Sequence, residues 1–287
     1  MDNPVRGEFR AGLAAVLLLL HVAALYGIWW CATWGVTPTA ITLALVLYAV
    51  SSLGITVGYH RYFTHGSFHC RKEVKYVLAV AGALAAEGPL EQWCADHRQH
   101  HRYTDAANDP HSPWQYQHLP VPLNIVVGFL WAHMGWLFWV TKRPEGYRPM
   151  APVHDASVIQ WQARWYWTIV IAGFVIPFIL AGWAGLFLAG FIRVVAHLHV
   201  TWCVNSVCHL WGTRPVGPDG EFWKNDQSRN NLLVAFLGMG EGWHGNHHVK
   251  QNSAQLGYRW YHWDPGKWVI HLLELVRLAR DVRRFAR

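Results

Sequence analysis

Apolar residues run from Ala11 to Thr33, interrupted only by His21, and again from Thr39 to Tyr59 behind Pro38. Each run is close to the ~20 residues that cross a bilayer core as a helix. Thr33 to Pro38 reads as a tight turn, so the two form a hairpin. A second pair, Trp165 to Trp183 and Leu186 to Val204, is joined by a short Gly-rich turn. The pattern predicts an all-α integral membrane protein with four membrane helices in two hairpins, at about 11–33, 39–59, 165–183 and 186–204. The remainder, about 60–164 and 205–287, is expected to form a helical cap on one side, and residues 1–287 read as a single domain. The first run is long and leads directly into a second, unlike a cleaved signal peptide. Val74 to Leu90 is less apolar at its ends and contains Glu87, Gly88 and Pro89. It reads as a helix at the interface or packed within the protein. Lys267 to Arg287 reads as an amphipathic helix on the membrane surface.

Charge sets the orientation. Arg6 and Arg10 precede the first run; Arg61, Arg71, Lys72 and Lys75 follow the second. Lys142, Arg143, Arg148 and Arg164 precede the third, and Arg214, Lys224 and Arg229 follow the fourth, while the hairpin turns hold no Lys or Arg. The positive-inside rule then puts both termini and both large segments in the cytoplasm. The expected location is the bacterial cytoplasmic membrane, with the protein crossing it several times.

Composition agrees. Charged residues are only 14% of the chain, against about 25% in ordinary globular proteins, and there are 19 Trp. Indole rings suit the headgroup level. The net charge is +7; its basic residues near span ends can meet anionic lipid. No nucleic-acid recognition motif accompanies it, so nucleic acid is not an expected partner. The cysteines, Cys31, Cys70, Cys94, Cys203 and Cys208, are odd in number and contain no CxxC pair, which suggests buried free thiols rather than a disulfide framework.

The chemistry lies in the histidines. His60 and His65 fall in HRYFTH; His97, His100 and His101 in DHRQHH; His209 in NSVCHLWG; His244, His247 and His248 in EGWHGNHH. Residues three or four apart share a helix face, so each HxxHH aims neighbouring imidazoles into one space. Adjacent histidines on a helix diverge by about 100°, so His100 and His101 would more naturally serve two metals than one. A lone histidine on an apolar face is more often a hydrogen-bonded core residue, as expected for His21, His133, His197 and His271. Arg193, His197 and His199 lie inside the last apolar run, where charged groups face the protein interior or a wet cavity.

Imidazole suits Zn, Cu, Fe and Ni alike. Zinc takes four ligands, or three and a water, whereas nine histidines could fill two higher-coordinate sites, which favours two irons. No HExxH of a zinc protease occurs. Asp96, Asp105, Asp109 and Glu241 stand near the clusters and could accept the second N–H of metal-bound histidines.

At these residues the sequence resembles the membrane fatty acyl desaturases, the family of stearoyl-CoA desaturase. The resemblance runs from His60 to His248 and includes order, spacing and the place of each histidine box relative to the apolar runs; AANDPHSP and AHMGW add to it. It implies a mushroom-shaped fold whose cytoplasmic cap holds a di-iron site. One iron would take His60, His65, His97, His101 and His247. The other would take His100, His209, His244 and His248, with a water held by Asn205. Trp202 matches a family tryptophan near the acyl path, and Trp93, Asp96, Lys142 and Arg143 are the implied substrate-binding residues. Gly88 and Ala95 stand where the animal acyl-CoA enzymes have asparagine and arginine.

The implied reaction is O2-dependent desaturation of a saturated acyl chain, at delta-9, with related hydroxylases and acetylenases sharing the same iron site. The implied partners are an acyl thioester of CoA or acyl carrier protein, membrane lipid, and a separate electron donor of ferredoxin or cytochrome b5 type. No His-Pro-Gly-Gly segment of a fused cytochrome b5 occurs. A membrane haem carrier would instead need paired histidines on facing spans.

Overall fold

The computed structural model describes residues 5–147, 155–215 and 226–285; Arg148, Lys224 and Arg287 lie outside them. Helix α1, Ala11–Trp34, and helix α2, Pro38–Leu53, are joined by a short turn, and both pack on the later segment Gly185–Ile192. Pro38 occupies the first position of α2, where its missing N–H is harmless, and the Thr37 hydroxyl accepts from Ala40 N at 3.1 Å. Leu18, Leu19, Val22 and Leu25 of α1 stay more than half exposed. A soluble protein would not leave such a surface bare.

The second apolar helix does not stop at Tyr59. It continues to Thr64 in a π-wound segment, Gly54–Thr64, so HRYFTH forms its last turns rather than a segment beyond it. This explains the five-residue spacing. At 100° per residue an α-helix would set His60 and His65 about 140° apart. In π winding the hydrogen bonds run between residues five apart, here His65 N to His60 O at 3.1 Å, and the two rings come within 5.0 Å.

Helix α3, Lys72–Ala83, lies on this segment without room for a side chain between them. A Cβ on Gly54 would fall 2.2 Å from backbone atoms of Ala81 and Gly82. Gly54→Ala is therefore expected to cost about 1–3 kcal/mol by overpacking, read as a lower unfolding temperature in detergent. An unchanged temperature would mean that the two helices separate freely. The helix expected over Val74 to Leu90 ends at Ala83, because Ala86 and Gly88 take positive φ (61° and 105°) and Pro89 precedes helix α4, Leu90–Tyr103. Helix α5, Leu123–His133, is short and apolar and follows a single 3-10 turn, Pro113–Tyr116.

Helix α6, Ala156–Ala184, a π-wound segment, Gly185–Ile192, and helix α7, Arg193–Leu210, follow without a loop. As one straight helix these 55 residues would reach about 80 Å. They do not, because Ala181 and Gly182 leave helical geometry, with Gly182 at φ 59°. The chain folds back there. Phe174 and Phe191 meet at 5.0 Å, and the Arg193 guanidinium donates to Leu84 O and Gly173 O. Among the described residues, three helical stretches are long and apolar enough to cross a membrane: Ala11–Trp34, Pro38–Thr64 and this folded one, Ala156–Leu210.

Strand β1, Arg6–Phe9, pairs with β3, Trp139–Thr141, and β2, His69–Cys70, pairs with β4, Ala279–Arg280. The two terminal strands are thereby tied to segments outside the long apolar helices. Beyond α7 the chain forms helix α8, Leu232–Leu237, helix α9, His244–Val249, and helix α10, Pro265–Leu275. The expected tail helix is thus shorter than its sequence pattern. Arg277 adopts φ 58° and the chain returns as β4; beyond it the backbone of Arg283 donates to Ser67 O and accepts from Ala254 N.

Candidate metal centre

The π-wound end of the second helix, α4, α7 and α9 each deliver histidines to one buried region. In the first group His60, His65, His97, His101 and His247 bring one nitrogen each to within 4.8 Å of all the others. Nε2 atoms lie 2.9 Å apart for His60 and His247, 2.8 Å for His247 and His101, 3.0 Å for His101 and His97, and 3.1 Å for His97 and His65. The second group, His100, His209, His244 and His248, converges likewise. Its Nε2 atoms lie 3.0 Å apart for His209 and His244, 3.0 Å for His248 and His244, and 3.3 Å for His100 and His248. His100 and His101, adjacent on α4, fall in different groups. Asn205 stands on α7 one turn before His209.

Carboxylates stand behind these rings. Nδ1 meets Asp109 at 2.9 Å in His100, Asp105 at 2.8 Å in His209 and Asp226 at 2.8 Å in His248. His60 Nδ1 lies 2.7 Å from Glu241, which Thr56 also contacts. A ring that donates its Nδ1 proton to a carboxylate turns a lone pair inward at Nε2. Several such lone pairs then face one another at about 3 Å, which is repulsive without a cation between them. Burial, reinforced by neighbouring imidazoles, holds His65, His97, His100, His101, His244 and His247 well below the ordinary histidine range. That is the neutral form a metal binds. Burial pushes the Asp109 carboxyl up to about 6. Burial alone would also raise Asp226, but His248 beside it draws it below the ordinary carboxylate range. The residues present therefore fit two multivalent cations held mainly by imidazole.

Asp226 had no sequence signal, since it lies in no histidine box. Asp226→Ala is expected to weaken metal retention about 10–100-fold, as for other groups that orient a ligating histidine, read by chelator competition. Retention equal to the parent would make Asp226 a bystander. His111 also escaped notice; its ring lies 4.4 Å from that of His100. Asp96 behaves differently from the other acids. It pairs with Arg143 at 2.7 Å and accepts from Gln92, and backs no histidine.

The remaining expected site residues are distributed around the groups. Trp93 stacks on His97 with centroids 5.0 Å apart and donates to Glu87. Trp202 is buried and ringed by His21, His133 and His199. Arg143 is held by Asp96 and Gln99, while the Lys142 side chain is exposed. His21 and His133 are hydrogen-bonded through His199, and His197 to Ser52, with Glu87 3.0 Å from its other ring nitrogen, as lone core histidines should be. His271 departs from that expectation: it is 61% exposed on α10, beside Glu274.

Residues 32–271 match the family described as Fatty acid desaturase. The chain belongs to this family. The chain is 34% identical over 280 residues to the "Probable acyl-CoA desaturase" of Schizosaccharomyces pombe, covering 93% of this chain but 54% of that protein, so it spans about half of that relative. It is 35% identical over 256 residues to "Delta-9 acyl-lipid desaturase 1" of Arabidopsis thaliana, with 86% and 76% covered. It is 35% identical over 301 residues to "Hex-5-enoyl-[acyl-carrier protein] acetylenase" of Moorena producens, with 98% and 90% covered. The histidine boxes of this chain lie within the matched span.

Proposed function

We propose that this enzyme desaturates a saturated fatty acyl thioester, using O2, at a centre of two irons. The observation that carries the reading is the pair of converging imidazole groups, several of their rings backed by carboxylates. His60, His65, His97, His101 and His247 would hold one iron. His100, His209, His244 and His248 would hold the other, with Asn205 reaching it through water. Bound iron would supply the oxidising power, from O2, two electrons and two protons, to convert adjacent methylenes to an alkene with release of two waters. The chain's own part is positional. Asp105, Asp109, Asp226 and Glu241 fix the rings, Trp93 walls the first group, and burial of the second group and of His60 and His247 in the first keeps bulk water away.

The break at Gly182 would divide the third apolar stretch into two spans, giving four in all. Both terminal segments pair with cap strands, which accords with both termini on the cytoplasmic side of a bacterial membrane, below a cap that houses the irons. An impermeant thiol reagent added from outside should label a single cysteine placed at 33–38 or 181–185, in a cysteine-free background. Labelling of an N-terminal cysteine instead would invert the topology.

The acyl chain would pass Trp202 and Trp93, with the headgroup near the Asp96–Arg143 pair and Lys142. Delta-9 placement draws support from the Arabidopsis relative's name. The carrier would be CoA, in keeping with the Schizosaccharomyces pombe relative's name, or acyl carrier protein, in keeping with the Moorena relative's name. The test offers the purified enzyme one acyl chain on CoA, on carrier protein and in phospholipid, with mass spectrometry of products. Loss of two hydrogens from a thioester is expected. A product that instead gains one oxygen would mark a hydroxylase, loss of hydrogens from an existing alkene an acetylenase, and turnover confined to phospholipid would reject both thioesters.

A further inference from the structure

Trp243 is bonded to His244 but belongs to neither histidine group. Its indole lies face to face with the buried imidazole of His262, centroids 3.8 Å apart and planes inclined by 11°. Trp243 Nε1 is fixed on Trp263 O at 2.8 Å. His262 in turn meets Tyr258 at 5.5 Å and Tyr261 at 4.9 Å, and both tyrosines are exposed, as is Trp260 between them, at 90%. A run of aromatic rings thus leads from the surface to the residue next to His244. No step of the proposed reaction uses it.

The outer end of this run is basic. The Arg259 guanidinium lies 5.8 Å from the Tyr258 ring, and Lys250 lies 5.5 Å from Phe285, which itself packs on Tyr258. Between Lys250 and Lys267 the sequence contains one acid, Asp264, and it is fully buried against Arg61. The charge presented outward by this segment is positive.

We propose that the face formed by Tyr258, Arg259, Trp260, Tyr261 and Lys250 docks a small acidic one-electron carrier protein, and that the His262–Trp243 stack conducts its electrons inward. The inference rests on the two-iron reading above. Each docking transfers one electron: the carrier is oxidised by one and one ferric ion becomes ferrous, with two such events per turnover and no bond made or broken in the chain. Positive charge around an apolar, ring-rich centre suits an acidic partner, because complementary charge speeds encounter. Trp260 would also suit a headgroup layer, but a lipid contact would give no reason for rings stacked inward to α9.

The test uses the full-length protein in nanodiscs, with an acidic [2Fe–2S] ferredoxin and soluble cytochrome b5 as probes. Two quantities are read: carrier affinity, measured with and without iron, and the rate of iron reduction by pre-reduced carrier. The double charge reversal Lys250→Glu with Arg259→Glu is expected to weaken binding of at least one carrier by about tenfold or more at low salt. Arg102→Glu on α4 serves as the control and should bind as the parent does. His262→Leu should keep the affinity but slow reduction by the carrier, while dithionite still reduces its iron completely. Unchanged affinity for both carriers in the double reversal overturns the docking face, as does a variant that loses bilayer association instead. Carrier-driven reduction at the parent rate in His262→Leu overturns the route. Absence of iron from the parent would strike the two-iron reading, and the affinity comparison would still decide the docking face.

Discussion

Replacing His209 by alanine is expected to abolish turnover and to leave the second histidine group unable to retain its metal, with the chain still inserted in the membrane. His209 ends α7 and holds two contacts at once: Nε2 lies 3.0 Å from His244 Nε2, and Nδ1 lies 2.8 Å from Asp105. Alanine removes a ligand position and also leaves Asp105, which is buried, without the ring it charge-balances. Neighbouring rings cannot fill in, because each is held by its own helix or its own carboxylate. Asn205→Ala, one turn earlier, should lower activity while most of the metal stays bound, since it would act only through water. Metal analysis and product formation on the same sample separate the two variants. Wild-type turnover in His209→Ala would remove it from the site.

Arg61→Met is expected to lower stability by about 3–5 kcal/mol, the cost of leaving one half of a buried pair alone. Arg61 is 1% exposed. Its guanidinium donates to Asp264 Oδ1 at 2.7 Å and to Ala254 O at 2.9 Å. Asp264 also caps Lys267 N at the start of α10 and accepts from Leu256 N and Gly257 N. One ion pair therefore ties the residue next to His60 to the C-terminal part of the chain. Thermal unfolding in detergent should show the loss, accompanied by weaker metal retention in the first group. A variant as stable as the parent would mean that Asp264 is satisfied by backbone N–H groups alone.

Much of this was readable from residue spacing, and the failures have physical causes. HxxHH on a helix sets its rings on one face, and α4 and α9 present them so. HxxxxH does not fit an α-helical face. Only the π winding of Gly54–Thr64 aligns His60 with His65, and no hydrophobic period reports a change of winding. The second hairpin was legible in composition, yet its reversal rests on two residues, Ala181 and Gly182, within an otherwise continuous helix. Asp226 and the Trp243–His262 stack come together through contacts distant in sequence, so neither carried a local signal. His271 misled because its apolar neighbours in IHLL split between two faces of α10: Ile270 and Leu273 turn to the core, whereas His271 and Leu272 face outward.

The most direct measurement is the metal content of protein purified from its native host, by elemental analysis and iron spectroscopy, paired with activity. Two histidine groups predict about two irons per chain, coupled to one another, with activity lost on chelation and restored by ferrous iron alone. Full activity with zinc as the sole metal would contradict the account.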